Sequence, residues 1–290
     1  MEIKTIFVVG AGLMGSGIAQ VSAQSGYPVI MQDVTDEALK KGRDSILWSL
    51  KKFAEKGTVK EPPETIIGRI RSTRDLKMAK DAELVIEAVF ERLDVKQGVF
   101  KELDSLCKPE AILATNTSAL PVSEIAAATH RPGRVVGLHF FSPVPMMRIV
   151  EVVKGLLTAA ETLEAAKKYV LSIGKEFITV NRDVAGFALN RTNIPSTLKA
   201  IRLVEAGVAT PEDIDKGMRL GFGRPMGPFE TNDLTGLDVS LNAALNIYEE
   251  TKDPKFWPPA LMFRKVKAGH LGRKTGRGWY EYTSDGKKKS

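Results

Sequence analysis

The stretch Ile6-Phe7-Val8-Val9-Gly10-Ala11-Gly12-Leu13-Met14-Gly15 decides the fold. Four consecutive apolar residues read as a short strand buried on both faces. The six residues that follow match G-x-G-x-x-G, and a helix over 13–25, with the small residues Ala19 and Ala23, continues from them. Each glycine meets a separate need. Gly10 permits the tight turn, Gly12 lets a pyrophosphate approach the backbone, and Gly15 lets the helix pack on the strand. The helix N-terminus offers N–H donors and the positive end of its dipole to the phosphates. The bare pattern is weak, because any glycine-rich turn satisfies it; the strand before it and the helix after it give it meaning. Leu13 and Met14, inside the fingerprint, belong with the glycines as cofactor contacts.

Outward from this turn, 29–31 is a second strand with Asp33 at its end. A carboxylate there can accept from adenosine ribose hydroxyls and repels a 2′-phosphate, which points to NAD rather than NADP. Thr35 can cap a helix running to about residue 57. Strands at 83–89, 111–115, 135–140, 149–153 and 177–180 then alternate with helices at 93–106, 122–128 and 159–173. Thr158 and Glu161 have the spacing of a capping box at the last of these. Such alternation is the mark of a parallel sheet covered on both faces. The expected fold is therefore α/β: a Rossmann-type, mostly parallel sheet domain over 1–186, then an all-helical domain over 187–290. The second domain reads as a long helix over 187–206 that Pro195 must bend or break. A helix start follows at Thr210-Pro211-Glu212-Asp213, then helices at 237–250 and 260–268.

Composition narrows the function. The chain has 290 residues and a single cysteine, Cys107, so no internal disulfide can form. That suits a reducing compartment. No apolar run approaches the ~18 residues that cross a bilayer, and the N-terminal residues lack the features of a signal peptide. The expectation is a soluble, cytoplasmic protein with no membrane partner. Forty-two basic against 35 acidic residues leave a net charge of +7, which favours an anionic partner. Aromatics are only 7% and do not interleave with basic residues, so nucleic acid is not expected; a small polyanionic substrate fits better. No cluster of Cys and His has metal-ligand spacing, and no metal is expected.

His139 ends a strand in Gly-Leu-His-Phe-Phe-Ser-Pro, and in open α/β sheets ligands bind beyond the carboxyl ends of strands. An imidazole there can move a proton near neutral pH. Glu151 lies within the apolar run Ile149-Val150-Glu151-Val152-Val153, where burial demands a partner. Paired with an imidazole it would fix the tautomer; the plainer reading is a solvated charge on an edge strand. His130 and His270 sit in polar contexts that ask for no chemistry.

Together, Gly10 to Gly15, Glu91 to Lys96, Asn116-Thr117-Ser118, His139-Phe140-Phe141, Asn190 and Pro225-Met226-Gly227-Pro228-Phe229 resemble the L-3-hydroxyacyl-CoA dehydrogenases, above all the bacterial 3-hydroxybutyryl-CoA dehydrogenases. The likeness runs to Gly276-Arg277-Gly278-Trp279-Tyr280 and spans essentially the whole chain. It implies interconversion of (S)-3-hydroxyacyl-CoA and 3-oxoacyl-CoA by hydride transfer with NAD(H), in short-chain fatty acid and butanoate metabolism. It implies His139 as the base, Glu151 as its holder, and Ser118 and Asn190 as donors to substrate oxygens. Asp33, Glu91, Lys96 and Asn116 would contact the cofactor, and Ser49, Lys52 and Lys56 the CoA moiety. The helical domain would close the substrate site and carry a homodimer contact. An alternative within the same fold is a dehydrogenase of a free hydroxy or sugar acid. The chain departs from the family pattern at Arg92, Ala119, Ser142 and Ala185, where Asn, Ser, Asn and Pro are usual.

Overall fold

The computed structural model describes residues 2–289. The chain divides into two compact units that part between Phe187 and Ala188.

In the first unit, eight strands form one sheet: β1 (Ile6–Val9), β2 (Val29–Gln32), β3 (Ile70–Thr73), β4 (Leu84–Glu87), β5 (Ile112–Thr115), β6 (Val135–Phe140), β7 (Ile149–Val153) and β8 (Glu176–Val180). Their order is β3-β2-β1-β4-β5-β6-β7-β8. All neighbours are parallel except β6 and β7. The expected mostly parallel Rossmann-type sheet is therefore present. The helices of this unit are α1 (Leu13–Gln24), α2 (Asp36–Glu55), α3 (Pro63–Gly68), α4 (Leu93–Leu106), α5 (Val122–Ala126) and α6 (Ala160–Ser172).

Alternation along the strands divides the core into two layers. Ile6, Val8, Leu84, Ile86, Ile112 and Ala114 pack with α1, α2, α3 and α6, whereas Phe7, Val9, Val85 and Leu113 pack with α4 and α5. Because side chains repeat every second residue, Glu87, Thr115, His139 and Glu151 all fall on the α4/α5 side. Strand order reverses at β1, which opens a crevice beyond the carboxyl ends of β1 and β4, the usual ligand position in such sheets.

Local details follow from the residues. Thr35 caps α2, its hydroxyl accepting from the Ala38 N–H at 3.1 Å. The capping box expected from Thr158 and Glu161 does not form. The Thr158 hydroxyl instead accepts from Gly155 N–H and donates to Val135 O, at 2.9 and 2.6 Å, while Ala159 stands at the helix N-cap. A buried strand end nearby claims the hydroxyl first. Strand β3 and helix α3 carry no clear signal: Ile70-Arg71-Ser72-Thr73 lies at the sheet edge, where one buried residue is enough. Phe187 does not begin a helix. It has a left-handed φ of 47° and its ring is buried in the α4/α5 core.

In the second unit the described residues form no extended strand. Helices α7 (Leu189–Glu205), α8 (Pro211–Phe222), α9 (Pro228–Thr235), α10 (Leu237–Thr251) and α11 (Ala260–Lys267) carry it. Pro195 sits inside α7 without ending it. Thr210 caps α8 as its sequence foretells. Two buried carboxylates tie the unit together. Asp215 accepts from the N–H groups of Phe229 and Glu230 at the start of α9 and from the Tyr280 hydroxyl, at 2.9, 3.0 and 2.7 Å. Asp233 accepts from Trp279 N–H, Tyr280 N–H and the Tyr282 hydroxyl, at 2.8, 3.0 and 2.9 Å. A Cβ at Gly227 would lie 2.2 Å from an Asp215 oxygen, which explains the glycine in Pro-Met-Gly-Pro-Phe. No described helix is long and apolar enough to cross a membrane.

Tyr280→Phe removes one donor from a buried carboxylate, so it should cost about 1–3 kcal/mol of stability. Urea denaturation followed by circular dichroism measures it; an unchanged midpoint would contradict this role.

Candidate active site

The glycine turn is built as its spacing demands. Gly10 adopts φ +100°, and a Cβ there would meet the Ala88 carbonyl oxygen at 2.6 Å. A Cβ at Gly15 would lie 1.9 Å from the Gly10 carbonyl oxygen. At Gly12 the reverse holds: no atom lies within 4 Å of the position a Cβ would take. Gly12 is the N-cap of α1 and supplies no side-chain cap, and the first turn of α1 carries no acidic residue. Open space in front of uncapped helix N–H groups suits an anion. At the end of β2, Asp33 receives the Ala11 and Val34 N–H groups, each at 2.7 Å. The carboxylate is thereby fixed beside the turn. The residues present fit the pyrophosphate and ribose of a dinucleotide.

Antiparallel pairing places His139 directly opposite Glu151 in the β6–β7 register. Opposed residues of an antiparallel pair share a face with close Cβ atoms. His139 Nδ1 and Glu151 Oε2 are 2.7 Å apart. His139 is 4% exposed and Glu151 fully buried. An ionised carboxylate can only accept, so Nδ1 is the donor of this pair, and in a neutral imidazole that leaves the lone pair on Nε2. The imidazole lies against two rings, Phe141 at 4.5 Å and Phe187 at 5.6 Å between centroids. The left-handed backbone at Phe187 serves this placement. Gly137, two residues before His139, lets α5 approach: a Cβ there would lie 2.8 Å from Val153 and 2.9 Å from Val122. Asn116 reaches across from β5, its Oδ1 accepting from Phe140 N–H at 2.9 Å.

A second polar group lies on the same side of the sheet. The Lys96 ammonium, 1% exposed, is 2.7 Å from Glu87 and 3.3 Å from Glu91. Glu87 also accepts from the Thr115 hydroxyl and the Val89 N–H, each at 2.7 Å. Glu91 accepts from the Thr117 hydroxyl and the N–H groups of Ser118 and Ala119, at 2.6, 2.7 and 3.1 Å. Glu91 thus holds the loop that presents the half-buried Ser118. Sequence reasoning missed Glu87, Thr115 and Thr117. The signal was available: a carboxylate ending the apolar strand Leu84-Val85-Ile86-Glu87, with a lysine on the next helix.

Gly10, Gly12, Gly15, Asp33, Glu91, Lys96, Asn116, Ser118 and His139 gather at the carboxyl ends of β1, β2, β4, β5 and β6, and Glu151 joins them from the middle of the antiparallel β7. Leu13 is exposed and Met14 packs against the core at the start of α1. Ser49, Lys52 and Lys56 stand apart on the distal part of α2. That helix touches the turn at Gly42, whose Cβ would meet the Ala11 carbonyl oxygen at 2.6 Å. Lys52 is ten residues further, or about 15 Å at helical rise. Asn190 lies in the first turn of α7, in the second unit. His130 pairs at 2.9 Å with Asp104, in the last turn of α4. Burial raises the Cys107 thiol to about 11, which suits a packing role. Among the described residues no group of three His, Cys, Asp or Glu side chains is placed to hold a metal ion.

Lys96→Met strands the buried Glu87 charge and should cost roughly 3–5 kcal/mol. Glu87→Gln combined with Lys96→Met should cost less than Lys96→Met alone. A double-mutant cycle by urea unfolding tests this, and additive costs would refute the pairing.

Comparison with known proteins gives concordant matches. The family model for the NAD binding domain of 3-hydroxyacyl-CoA dehydrogenase matches residues 5–184, and that for the C-terminal domain of the same family matches 186–282. A protein of Bacillus subtilis named as a probable 3-hydroxybutyryl-CoA dehydrogenase is 46% identical over 283 residues, covering 97% of this chain and 98% of its own. The crystal structure of FadB2 from M. tuberculosis superposes with a TM-score of 0.95 at 43% identity, over 98% of this chain and 100% of that one. The (S)-3-hydroxybutyryl-CoA dehydrogenase PaaH1 of Ralstonia eutropha gives 0.91 at 39% identity, over 98% and 100%.

Proposed function

The chain belongs to the 3-hydroxyacyl-CoA dehydrogenase family, and from that premise we propose which of its residues carry the reaction. It is an NAD-dependent oxidoreductase that interconverts 3-hydroxyacyl-CoA and 3-oxoacyl-CoA. The names of its relatives support a short acyl chain, with 3-hydroxybutyryl-CoA and acetoacetyl-CoA as the substrate pair.

The His139–Glu151 pair carries the assignment of roles. With Nδ1–H donated to Glu151, Nε2 of His139 takes the proton of the substrate 3-hydroxyl during oxidation and returns it during reduction. Glu151 holds the tautomer and stabilises the imidazolium that forms. The nicotinamide supplies the hydride chemistry. Ser118, whose loop Glu91 fixes, donates to the substrate oxygen; a donor already in place stabilises charge as it develops. Asn190 is assigned the second donor role from the family resemblance. The N–H groups at the start of α1 bind the pyrophosphate, Asp33 binds the adenosine ribose, and Glu91, Lys96 and Asn116 order the loops around the nicotinamide. Ser49, Lys52 and Lys56 on α2 face the CoA moiety.

The second unit is proposed to carry the contact of a homodimer. Leu220 and Phe222 of α8 are 79% and 78% exposed, and Val208 before it is 67% exposed. Only Asp215 of α8 is buried, so this helix presents apolar surface that monomers rarely leave open. Leu220→Asp with Phe222→Asp should yield a monomer by light scattering; a dimer of unchanged mass would exclude this face. A cytoplasmic location is proposed, consistent with a lone, buried cysteine.

The activity test mixes protein, acetoacetyl-CoA and NADH and follows NADH absorbance, with NADPH in parallel. Rapid loss with NADH and little with NADPH is expected; preference for NADPH would overturn the Asp33 assignment. His139→Ala should retain NADH binding and lose roughly 10²–10⁴ in turnover. Near-wild-type turnover in that variant would refute the base.

A further inference from the structure

Helix α2 buries Leu39, Gly42, Ile46 and Leu50. At 3.6 residues per turn, Trp48 projects from almost the opposite side. Trp48 is 66% exposed, and among the described residues its ring makes no aromatic or cation–π contact. The position contributes nothing to the core, yet it holds the side chain with the largest apolar area.

Its neighbours give the ring a use. Trp48, Lys52, Lys56 and Ser49 fall within about 100° of helical arc, and Lys41 and Ser45 lie on the same arc. Lys52 pairs with Glu55 at 2.8 Å and stays half exposed. Lys56 caps the carboxyl end of α2 and has no ion-pair partner among the described residues. An aromatic face beside cations and hydroxyls is complementary to a nucleotide: the base stacks, and the phosphates meet the ammonium groups. The nucleotide end of CoA has this chemistry, with an adenine, a 3′-phosphate and a 5′-pyrophosphate. A free acid substrate or a bare pantetheine has none of it.

We propose that Trp48 is the stacking platform for the adenine of the CoA thioester and makes the enzyme discriminate for the nucleotide end of its substrate. This rests on the reading of α2 as the CoA-binding helix. The ring acts on affinity alone, since the adenine it would stack is not the reacting end of the thioester.

Kinetics with acetoacetyl-CoA and with acetoacetyl-pantetheine, the same thioester without the nucleotide, test the proposal. Trp48→Ala should raise KM for acetoacetyl-CoA roughly five- to a hundredfold, the range of one base–aromatic stack. It should leave kcat and the KM for acetoacetyl-pantetheine unchanged, and Trp48→Phe should retain most of the affinity. An unchanged KM for acetoacetyl-CoA, or an equal rise for both substrates, would overturn the proposal. A binding experiment without turnover separates it from the activity itself. Adenosine 3′,5′-bisphosphate should quench tryptophan emission in the wild type and lose that effect in Trp48→Phe, which keeps Trp257 and Trp279. Quenching lost in the variant supports the platform even in a protein that fails to reduce acetoacetyl-CoA. Quenching that persists, or is absent from the wild type, rejects it.

Discussion

The candidate active site depends on one reversal of strand direction. Up to β6 the sheet is parallel, and each strand must return through a covering helix. Between β6 and β7 the chain turns back directly, and the antiparallel register sets His139 against Glu151. No parallel arrangement would bring these residues together at so short a separation in the chain. Two buried ionisable groups are costly apart and acceptable together, so the pairing and the register reinforce each other. The rings of Phe141 and Phe187, and the bare backbone of Gly137 under α5, then fix where the imidazole can stand.

A parallel sheet also gathers its functional residues at one edge. Because side chains alternate, polar residues near the ends of adjacent strands on the α4/α5 side share one surface. Glu87 and Thr115 end β4 and β5, His139 is the penultimate residue of β6, and Glu151 joins them from the middle of the antiparallel β7. Lys96 and Glu91 extend the group into the loops. Its arrangement is reciprocal: Lys96 pairs with two carboxylates, and Glu91 uses its remaining capacity to order the loop of Ser118. The second unit uses buried carboxylates differently. Asp215 and Asp233 satisfy backbone N–H groups at a helix start and in the C-terminal segment, so its glycine-rich motifs serve packing rather than chemistry.

Much of this was legible in the sequence. Continuous apolar runs marked the buried strands, and the glycine fingerprint with Asp33 marked the crevice. His139 and Glu151 stood out as ionisable residues at or within such runs. What escaped was set by tertiary context. Edge strand β3 needs too little burial to leave an apolar run. Thr158 has the spacing of a cap but serves a strand end. Glu87 ends an apolar strand as an exposed terminus also does, and only the lysine on the next helix sets it apart. The direction of β7 was equally hidden, because an apolar strand reads the same whichever way it runs.

That direction bears on how the molecule assembles. His139 and Glu151 stand 12 positions apart in the chain and enclose a short loop, whereas each parallel neighbour must wait for a crossover. Loop closure costs less entropy the fewer residues it spans, and local contacts form early in folding. The β6–β7 unit is therefore a local element: its His139–Glu151 contact closes a shorter loop than the contact of the glycine turn with Asp33. The His139–Glu151 pair is closed within the hairpin-like unit that contains it, whereas the contact of the glycine turn with Asp33 spans 22 positions and a crossover.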